Sequence, residues 1–246
     1  MDSPFAATYN TANSTASTTM QVQSASPSPV SPDVLRRTMV DCQLRTFDIT
    51  DNKVLEAFEI VPREDFVDPA NAALAYSDAA LKVGGRALLE PMILARMIAN
   101  ANLAAGDRVL DVGGARGYSA AILAKLAGHV VALEDAAAFG EGAKAAPGVD
   151  NVEFATGPLD KGWAAGGPYD CILVNGAVET NFQGLLDQLA TGGRMVAVVR
   201  ESGRTGRAAK AVRFEKLASG AIGEKWLFDA AAATLDAFRR PAAFVF

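Results

Sequence analysis

The middle of the chain alternates between short apolar runs and segments in which apolar residues have helical spacing. Runs rich in Val, Ile and Leu predict five strands: DRVLDVG (107–113), HVVALE (129–134), NVEFATG (151–157), YDCILVNGA (169–177) and GGRMVAVVR (192–200). Helices are predicted for YSAAILAKLAG (118–128) and NFQGLLDQLA (181–190). Strands that are apolar on both faces and are joined by helices indicate a parallel sheet covered on both sides.

The flanking segments follow different patterns. After residue 200, strand-like runs without intervening helices predict an antiparallel edge on the sheet: AVRFEKL (211–217), EKWLFDA (224–230) and PAAFVF (241–246). Before residue 106, helices are predicted for VLRRTMVDCQLRTF (34–47), DNKVLEAFEIV (51–61) and residues 90–103. Thr50 is the expected N-cap of the second helix, and Pro91 fits the first turn of the third.

Composition narrows the class of protein. The chain has 246 residues, a net charge of −5 and two cysteines, so neither a basic nucleic-acid surface nor a disulfide framework is expected. No apolar run approaches the ~18 residues of a membrane span, and no basic region precedes an apolar core at the N-terminus. We therefore predict a cytoplasmic protein, and we expect no metal site. Residues 1–33 are rich in Ser, Thr, Ala and Pro without an apolar period, which predicts a disordered tail.

A glycine-studded turn follows the first central strand in LDVGGARGYSAA (110–121). Such a turn lets a ligand approach the backbone and exposes N–H groups at a helix N-terminus. Three residues separate Gly113 from Gly117, a spacing that departs from the G-x-G-x-x-G pattern of dinucleotide-binding proteins. At this point a nucleotide cofactor, S-adenosylmethionine and a turn that merely packs helix on strand all stay open.

Two acidic residues favour S-adenosylmethionine. Asp111 lies two residues before Gly113, where a carboxylate suits the positively charged sulfonium and amino groups of that cofactor. Glu134 ends the next strand, where an acid can accept hydrogen bonds from ribose hydroxyls. The pair therefore favours S-adenosylmethionine over a cofactor bound through its pyrophosphate.

Four segments along the chain match one family pattern in order: MVDCQLRTFDITDNKVLEAFEIVPREDFV (39–67), LAYSDAALKV (74–83), GDRVLDVGGARGYSAAILAKLAG (106–128) and TGGRMVAVV (191–199). Through these segments the sequence resembles the protein-L-isoaspartate O-methyltransferase family. It implies a Rossmann-like, seven-stranded S-adenosylmethionine-dependent methyltransferase α/β sandwich with an N-terminal helical extension. It also implies methyl transfer to the α-carboxylate of an isoaspartyl residue in a peptide or protein, a reaction of protein repair.

The resemblance further implies cofactor contacts. The methionyl part would be held at the glycine turn and the ribose at Glu134, while Gly157 matches the first glycine of the family's Gly-Asp-Gly segment near the adenine. Pro158 and Leu159 replace the rest of that segment. The predicted cofactor-binding residues are Asp111, Gly113, Gly114, Gly117, Glu134 and Gly157.

The acceptor loop departs from the family pattern. The family's Gly-Gln-Thr-Ile-Ser-Gln-Pro, whose serine serves the active site, corresponds here to GRALLEP (85–91), with Leu89 at the serine position. Three interpretations are open. Arg86 could bind the acceptor carboxylate; Leu88 and Leu89 could line an apolar pocket; or both leucines are the first core residues of the following helix and catalysis has been lost. Arg86 and Asp78 are the predicted catalytic residues on the acceptor side, with a turn role as the alternative for Asp78.

The resemblance divides residues 34–246 of a single domain into three parts: a helical cap on the acceptor side (34–105), a cofactor-binding core (106–200) and an antiparallel edge (201–246).

Because a carboxylate is already ionised at pH 7, no general base is needed, and the lone His129 is expected to be structural. The functional hypothesis is a carboxyl O-methyltransferase. The alternatives are a catalytically silent homologue and a methyltransferase for another acceptor.

Overall fold

A computed structural model describes residues 30–135, 149–200 and 209–241. The main sheet has seven strands: β3 (Arg108–Val112), β4 (His129–Glu134), β5 (Val152–Thr156), β6 (Tyr169–Val178), β7 (Leu189–Val199), β8 (Ala209–Lys216) and β9 (Ile222–Ala230). Their order is β5-β4-β3-β6-β7-β8-β9. The first five strands in this order run parallel, and β8 and β9 are antiparallel. The sequence predicted both parts of this sheet.

The helices before the sheet follow the predicted segments. Helix α1 (Pro32–Met39) continues as one π-helical turn, α2 spans Asn52–Ile60 and α3 spans Pro91–Ala101. The prediction of Thr50 as the N-cap of α2 is wrong by one residue, because the side chain of Asp51 accepts a hydrogen bond from the Lys53 N–H at 2.9 Å. The predicted disordered tail lies outside the described residues up to residue 29, and its last two residues begin α1.

A small hairpin interrupts the cap that the sequence predicted to be helical. Strands β1 (Leu81–Val83) and β2 (Arg86–Leu88) pair antiparallel, with Val83 opposite Arg86. The turn between them contains Gly84 in the left-handed region, with φ 58°, a conformation that glycine adopts without steric cost. This hairpin carries the altered acceptor loop.

Side chains alternate between two cores along the central strands. On β3, Val109 belongs to the core that packs against α1, α2, α3 and α4 (Tyr118–Ala124). Leu110 and Val112 face the opposite core, which contains α5 (Gln183–Asp187) and Phe238. Helix α5 is shorter than predicted, since β7 already begins at Leu189. Beyond Pro241, the predicted strand PAAFVF lies outside the described residues.

Two further predictions concern cysteine burial and membranes. Cys171 lies buried in β6, and burial raises the pKa of its thiol to about 12, so it behaves as a small apolar side chain. Among the described helices, none combines the length and apolar character needed to cross a membrane. The cytoplasmic location stays a prediction.

A buried arginine fixes the end of the sheet at which β3 begins. Arg194 donates hydrogen bonds to the carbonyl oxygens of Ala101 (2.6 Å), Asn102 (2.8 Å) and Asp170 (2.8 Å). Its ion pair with Asp107 has an N···O distance of 2.5 Å. The guanidinium therefore joins the C-terminus of α3 to the starts of β3 and β6.

Replacing Arg194 by Ala should lower the free energy of unfolding by about 3 kcal/mol, because it leaves the Asp107 carboxylate without its ion pair at a mostly buried position. Urea unfolding followed by circular dichroism measures the change. Arg45→Ala is the control, since Arg45 and Asp41 form an exposed pair expected to contribute about 0.5 kcal/mol or less. Equal stability of the two variants would contradict the role assigned to Arg194.

Candidate active site at the glycine turn

The glycine turn follows β3 and leads directly into α4. Gly113, Ala115 and Gly117 all have positive φ, at 73°, 54° and 91°. Ala115 is the residue that carries a side chain in this set, at a cost of about 1 kcal/mol for its left-handed conformation. The Gly113 N–H donates to the Leu133 carbonyl oxygen at 2.9 Å. The turn is therefore held against the end of the neighbouring strand, β4.

Asp111 lies beneath this turn and is fully buried. Its carboxylate accepts hydrogen bonds from Ser119 Oγ and Asn175 Nδ2, each at 2.7 Å. A Cβ atom on Gly114 would lie 2.5 Å from Asp111 Oδ2, so this position requires glycine. Burial raises the pKa of Asp111 to about 6, although both hydrogen bonds favour its ionised form. Asp111 thus supports the turn from below.

Glu134 joins the turn to the hairpin. Its Oε2 accepts a hydrogen bond from the Ala115 N–H at 2.9 Å. Its Oε1 accepts from Arg86 Nε at 2.9 Å and from Arg86 Nη2 at 2.6 Å. Arg86 also forms an ion pair with Asp135. The Arg86 and Glu134 side chains are 7% and 2% exposed, so the predicted acceptor-side arginine and the predicted ribose-binding acid form one buried pair.

The altered acceptor loop packs into the core instead of presenting polar side chains. Leu88 and Leu89 are both 5% exposed and belong to the core below the helical layer. They precede α3, so the interpretation that makes them the first core residues of that helix is right about the core and wrong about the helix. The Leu89 carbonyl oxygen accepts a hydrogen bond from Arg63 Nη2 at 2.8 Å. Arg63 therefore holds the loop backbone.

The C-terminal segment covers the turn from the opposite side. A Cβ atom on Gly113 would lie 3.1 Å from Leu235 Cδ1, and one on Gly176 would lie 2.7 Å from Leu235 Cγ. The Leu235 N–H donates to the Ala177 carbonyl oxygen at 3.1 Å. Leu235 thus lies over the ends of β3 and β6, where open α/β sheets bind their ligands.

Two other predicted residues lie at the edge of this arrangement. Asp78 is exposed and accepts a hydrogen bond from the Met92 N–H at 3.3 Å, in the first turn of α3. That contact joins Asp78 to α3 and is not the turn contact given as the alternative, so the acceptor-side role of Asp78 stays a prediction. The Gly157 N–H donates to the Glu134 carbonyl oxygen at 3.0 Å, and a Cβ atom there would lie 3.6 Å from the Trp163 ring. Gly157 therefore lies beside Glu134, and its contact with the cofactor stays a prediction.

Comparison with known proteins identifies the family. The sequence pattern of Protein-L-isoaspartate(D-aspartate) O-methyltransferase (PCMT) matches residues 36–229. A protein-L-isoaspartate O-methyltransferase of Methylorubrum extorquens (strain PA1) is 42% identical over 172 residues, which are 68% of this chain and 75% of that protein. The chain belongs to the PCMT family. The predicted resemblance is thus confirmed.

Solved structures agree with the predicted fold of this PCMT chain. One protein-L-isoaspartate O-methyltransferase has a TM-score of 0.68 at 24% identity, and the superposition covers 83% of this chain and 66% of that protein. A second, from Plasmodium falciparum and described as putative and in complex with S-adenosyl-L-homocysteine, has a TM-score of 0.67 at 20% identity. It covers 82% of this chain and 98% of its own. Both likenesses confirm the Rossmann-like seven-stranded fold.

Several residues of this PCMT site were not predicted from the sequence. Ser119 and Asn175 support Asp111, Asp135 shares Arg86 with Glu134, and Leu235 covers Gly113. Asn175 follows a buried strand run, a position whose polar side chain signals a site at the strand end. The others had no such signal. Among the described residues, no cluster of His, Cys, Asp and Glu could hold a metal ion.

At pH 7.5 the substitution Asp111→Asn should raise the free energy of unfolding of the ligand-free protein by about 2 kcal/mol. At pH 4 it should change that free energy little. The folded protein ionises Asp111 near pH 6 and the unfolded chain near 3.8, so the folded state binds more protons between these values. Stability therefore falls as pH rises from about 4 to 6 and stays lower above that. Thermal denaturation at several pH values checks this. A difference between variant and wild type that does not change with pH would contradict the assignment.

Proposed function

We propose that this PCMT-family chain transfers the methyl group of S-adenosylmethionine to the α-carboxylate of an isoaspartyl residue in a damaged peptide or protein. The observation that carries the proposal is the placement of Asp111 and Glu134 around one glycine turn, at the ends of adjacent parallel strands. Family membership supports the reaction class, and the relative described with S-adenosyl-L-homocysteine supports the cofactor class.

The residues at the turn fit this cofactor by the chemistry of their donors and acceptors. Glu134 offers a carboxylate to ribose hydroxyls, and the turn lets a ligand approach its backbone closely because Gly113 and Gly117 lack side chains. In the described conformation the chain itself satisfies part of this site, since Arg86 occupies Glu134 Oε1 and Leu235 lies over Gly113. A ribose hydroxyl would therefore compete with Arg86 for Glu134 Oε1.

Bound S-adenosylmethionine supplies an electrophilic methyl group, and the acceptor carboxylate is already the nucleophile at pH 7. The chain therefore has to orient the acceptor and exclude water, and it needs no general base. His129 begins β4, about 16 Å along the strand from Glu134, and lies 3.6 Å from Glu153. That position agrees with a structural role. Leu88 and Leu89 supply an apolar wall in place of a polar loop.

The second candidate function is a silent homologue that keeps the fold without transferring methyl groups. It is favoured by the same two contacts, of Arg86 with Glu134 and of Leu235 with Gly113. These contacts fill the predicted ribose and methionyl positions with the chain's own side chains.

The proposed reaction predicts that labelled methyl from S-adenosylmethionine appears on an isoaspartyl peptide and not on its aspartyl twin. The label should be released by mild base, as expected of a methyl ester. S-Adenosylhomocysteine binding, measured by calorimetry on the same preparation, is the companion measurement. Binding without label on either peptide would contradict the isoaspartyl assignment and favour the second candidate or another acceptor. Absence of binding would overturn the cofactor.

Arg86→Gln should have two opposite effects. Ligand-free stability should fall by about 2 kcal/mol because buried Glu134 loses its ion pair. Affinity for S-adenosylhomocysteine should rise about tenfold, because the ribose no longer competes with the guanidinium for Glu134.

Urea unfolding and calorimetry measure the two effects of that substitution. Arg213→Gln is the control, since Arg213 pairs with Glu215 on β8, away from the turn. Weaker binding by the Arg86 variant, with the control unchanged, would show that Arg86 contributes to cofactor binding and would contradict the competition.

A further inference from the structure

A second buried arginine lies beside the turn with most of its hydrogen-bonding capacity unused. Arg63 begins a short 3₁₀ turn (Arg63–Phe66) and is 0% exposed. A guanidinium has five N–H donors, and the bond that Arg63 makes is from Nη2 to the Leu89 carbonyl oxygen. Among the described residues, no group accepts a hydrogen bond from its Nε or Nη1. A buried charge in this condition is costly unless a further partner is present.

The unpaired donors have a defined surrounding. The guanidinium carbon of Arg63 lies 4.8 Å from the centroid of the Tyr118 ring. Tyr118 is the first residue of α4, and its buried hydroxyl also has no hydrogen-bond partner among the described residues. Burial raises the pKa of Tyr118 to about 12, so the hydroxyl remains a donor at neutral pH. The Arg63 guanidinium and the Tyr118 hydroxyl interact with each other, since the arginine lowers the pKa that burial raises, and Arg63 Nε, Arg63 Nη1 and the hydroxyl meet no other polar group among the described residues.

Both side chains line a narrow cleft between the acceptor loop and the turn. The remaining lining includes Ala87, Leu89, Gly113 and Asn175. In the described conformation this cleft has no room for a water molecule, so the side chains around it must move apart before a carboxylate can enter. Its walls carry positive charge and hydroxyl groups next to apolar surface.

We propose that Arg63 is a carboxylate-binding residue, whose free N–H groups donate to the carboxylate of the cofactor's methionyl part or to that of the acceptor residue. The inference rests on the proposed function, because both carboxylates belong to that reaction. A guanidinium suits the task since its N–H groups match the geometry of two carboxylate oxygens. Tyr118 Oη provides an additional donor at the same cleft.

Arg63→Met separates the two sources. It removes the charge and all N–H donors while keeping a side chain of similar length. Binding is measured by calorimetry with S-adenosylhomocysteine and with 5′-methylthioadenosine, which lacks the carboxylate. If Arg63 holds the methionyl carboxylate, the affinity for S-adenosylhomocysteine should fall about thirtyfold and the affinity for 5′-methylthioadenosine should not change. If it holds the acceptor, both affinities stay constant and KM for an isoaspartyl peptide rises about thirtyfold.

Two further variants keep the test decisive. Tyr118→Phe removes one unpartnered hydroxyl and keeps the shape of the side chain, so the stability of the ligand-free protein should stay the same or rise. It should weaken binding of the same ligand whose binding Arg63→Met weakens. Arg96→Met is the matched control, because Arg96 stacks on Phe228 at 3.8 Å outside the cleft. It should change neither affinity nor KM.

Failure of the site and failure of the proposed function give different results. A folded Arg63→Met protein with unchanged affinities and unchanged KM would overturn the carboxylate site and leave the proposed function in place. If Arg63→Met does not fold, Tyr118→Phe decides by the same readouts. Wild-type protein that binds no S-adenosylhomocysteine would overturn the proposed function, and the carboxylate site with it.

Discussion

The carboxylate of Glu134 connects two segments that are far apart in the sequence, the glycine turn and the β1–β2 hairpin. Its position is set by the parallel sheet, because it ends β4 beside β3. From there it accepts a hydrogen bond from Ala115 in the turn and two from Arg86 in the hairpin. The turn and the hairpin are therefore both hydrogen-bonded to one buried carboxylate.

The charged groups around Glu134 differ in how many hydrogen bonds and ion pairs they form. Glu134 and Arg86 form a pair with several hydrogen bonds, whereas Asp111 accepts two hydrogen bonds from neutral groups and its pKa rises to about 6. Arg63 donates one hydrogen bond. Apolar side chains of similar volume would stabilise such a region at least as well. Departures of this kind from a well-packed core are expected at functional sites, and ligand groups of opposite charge would offset part of the cost.

The sheet, the turn and Glu134 could be predicted from the sequence because each depends on local patterns. Apolar runs mark the strands, glycines mark the turn, and parallel strands place their ends along one edge. The pairing of Arg86 with Glu134 could not be predicted, because it spans 48 positions and depends on a hairpin whose three-residue strands show no periodicity. Arg63 lies within the recognisable segment VPREDFV (61–67), yet its burial follows from packing against Tyr118.

The altered acceptor loop has lost polar side chains but keeps a fixed backbone. The Leu89 carbonyl oxygen is held by Arg63, while the leucine side chains fill the core. The Arg63 guanidinium lies beside the loop, where the family pattern has hydroxyl groups within it. A guanidinium carries more N–H donors than a hydroxyl and a charge opposite to that of a carboxylate. A site that binds carboxylates by groups outside the loop does not require a serine within it, so Leu89 alone does not argue against a carboxylate substrate.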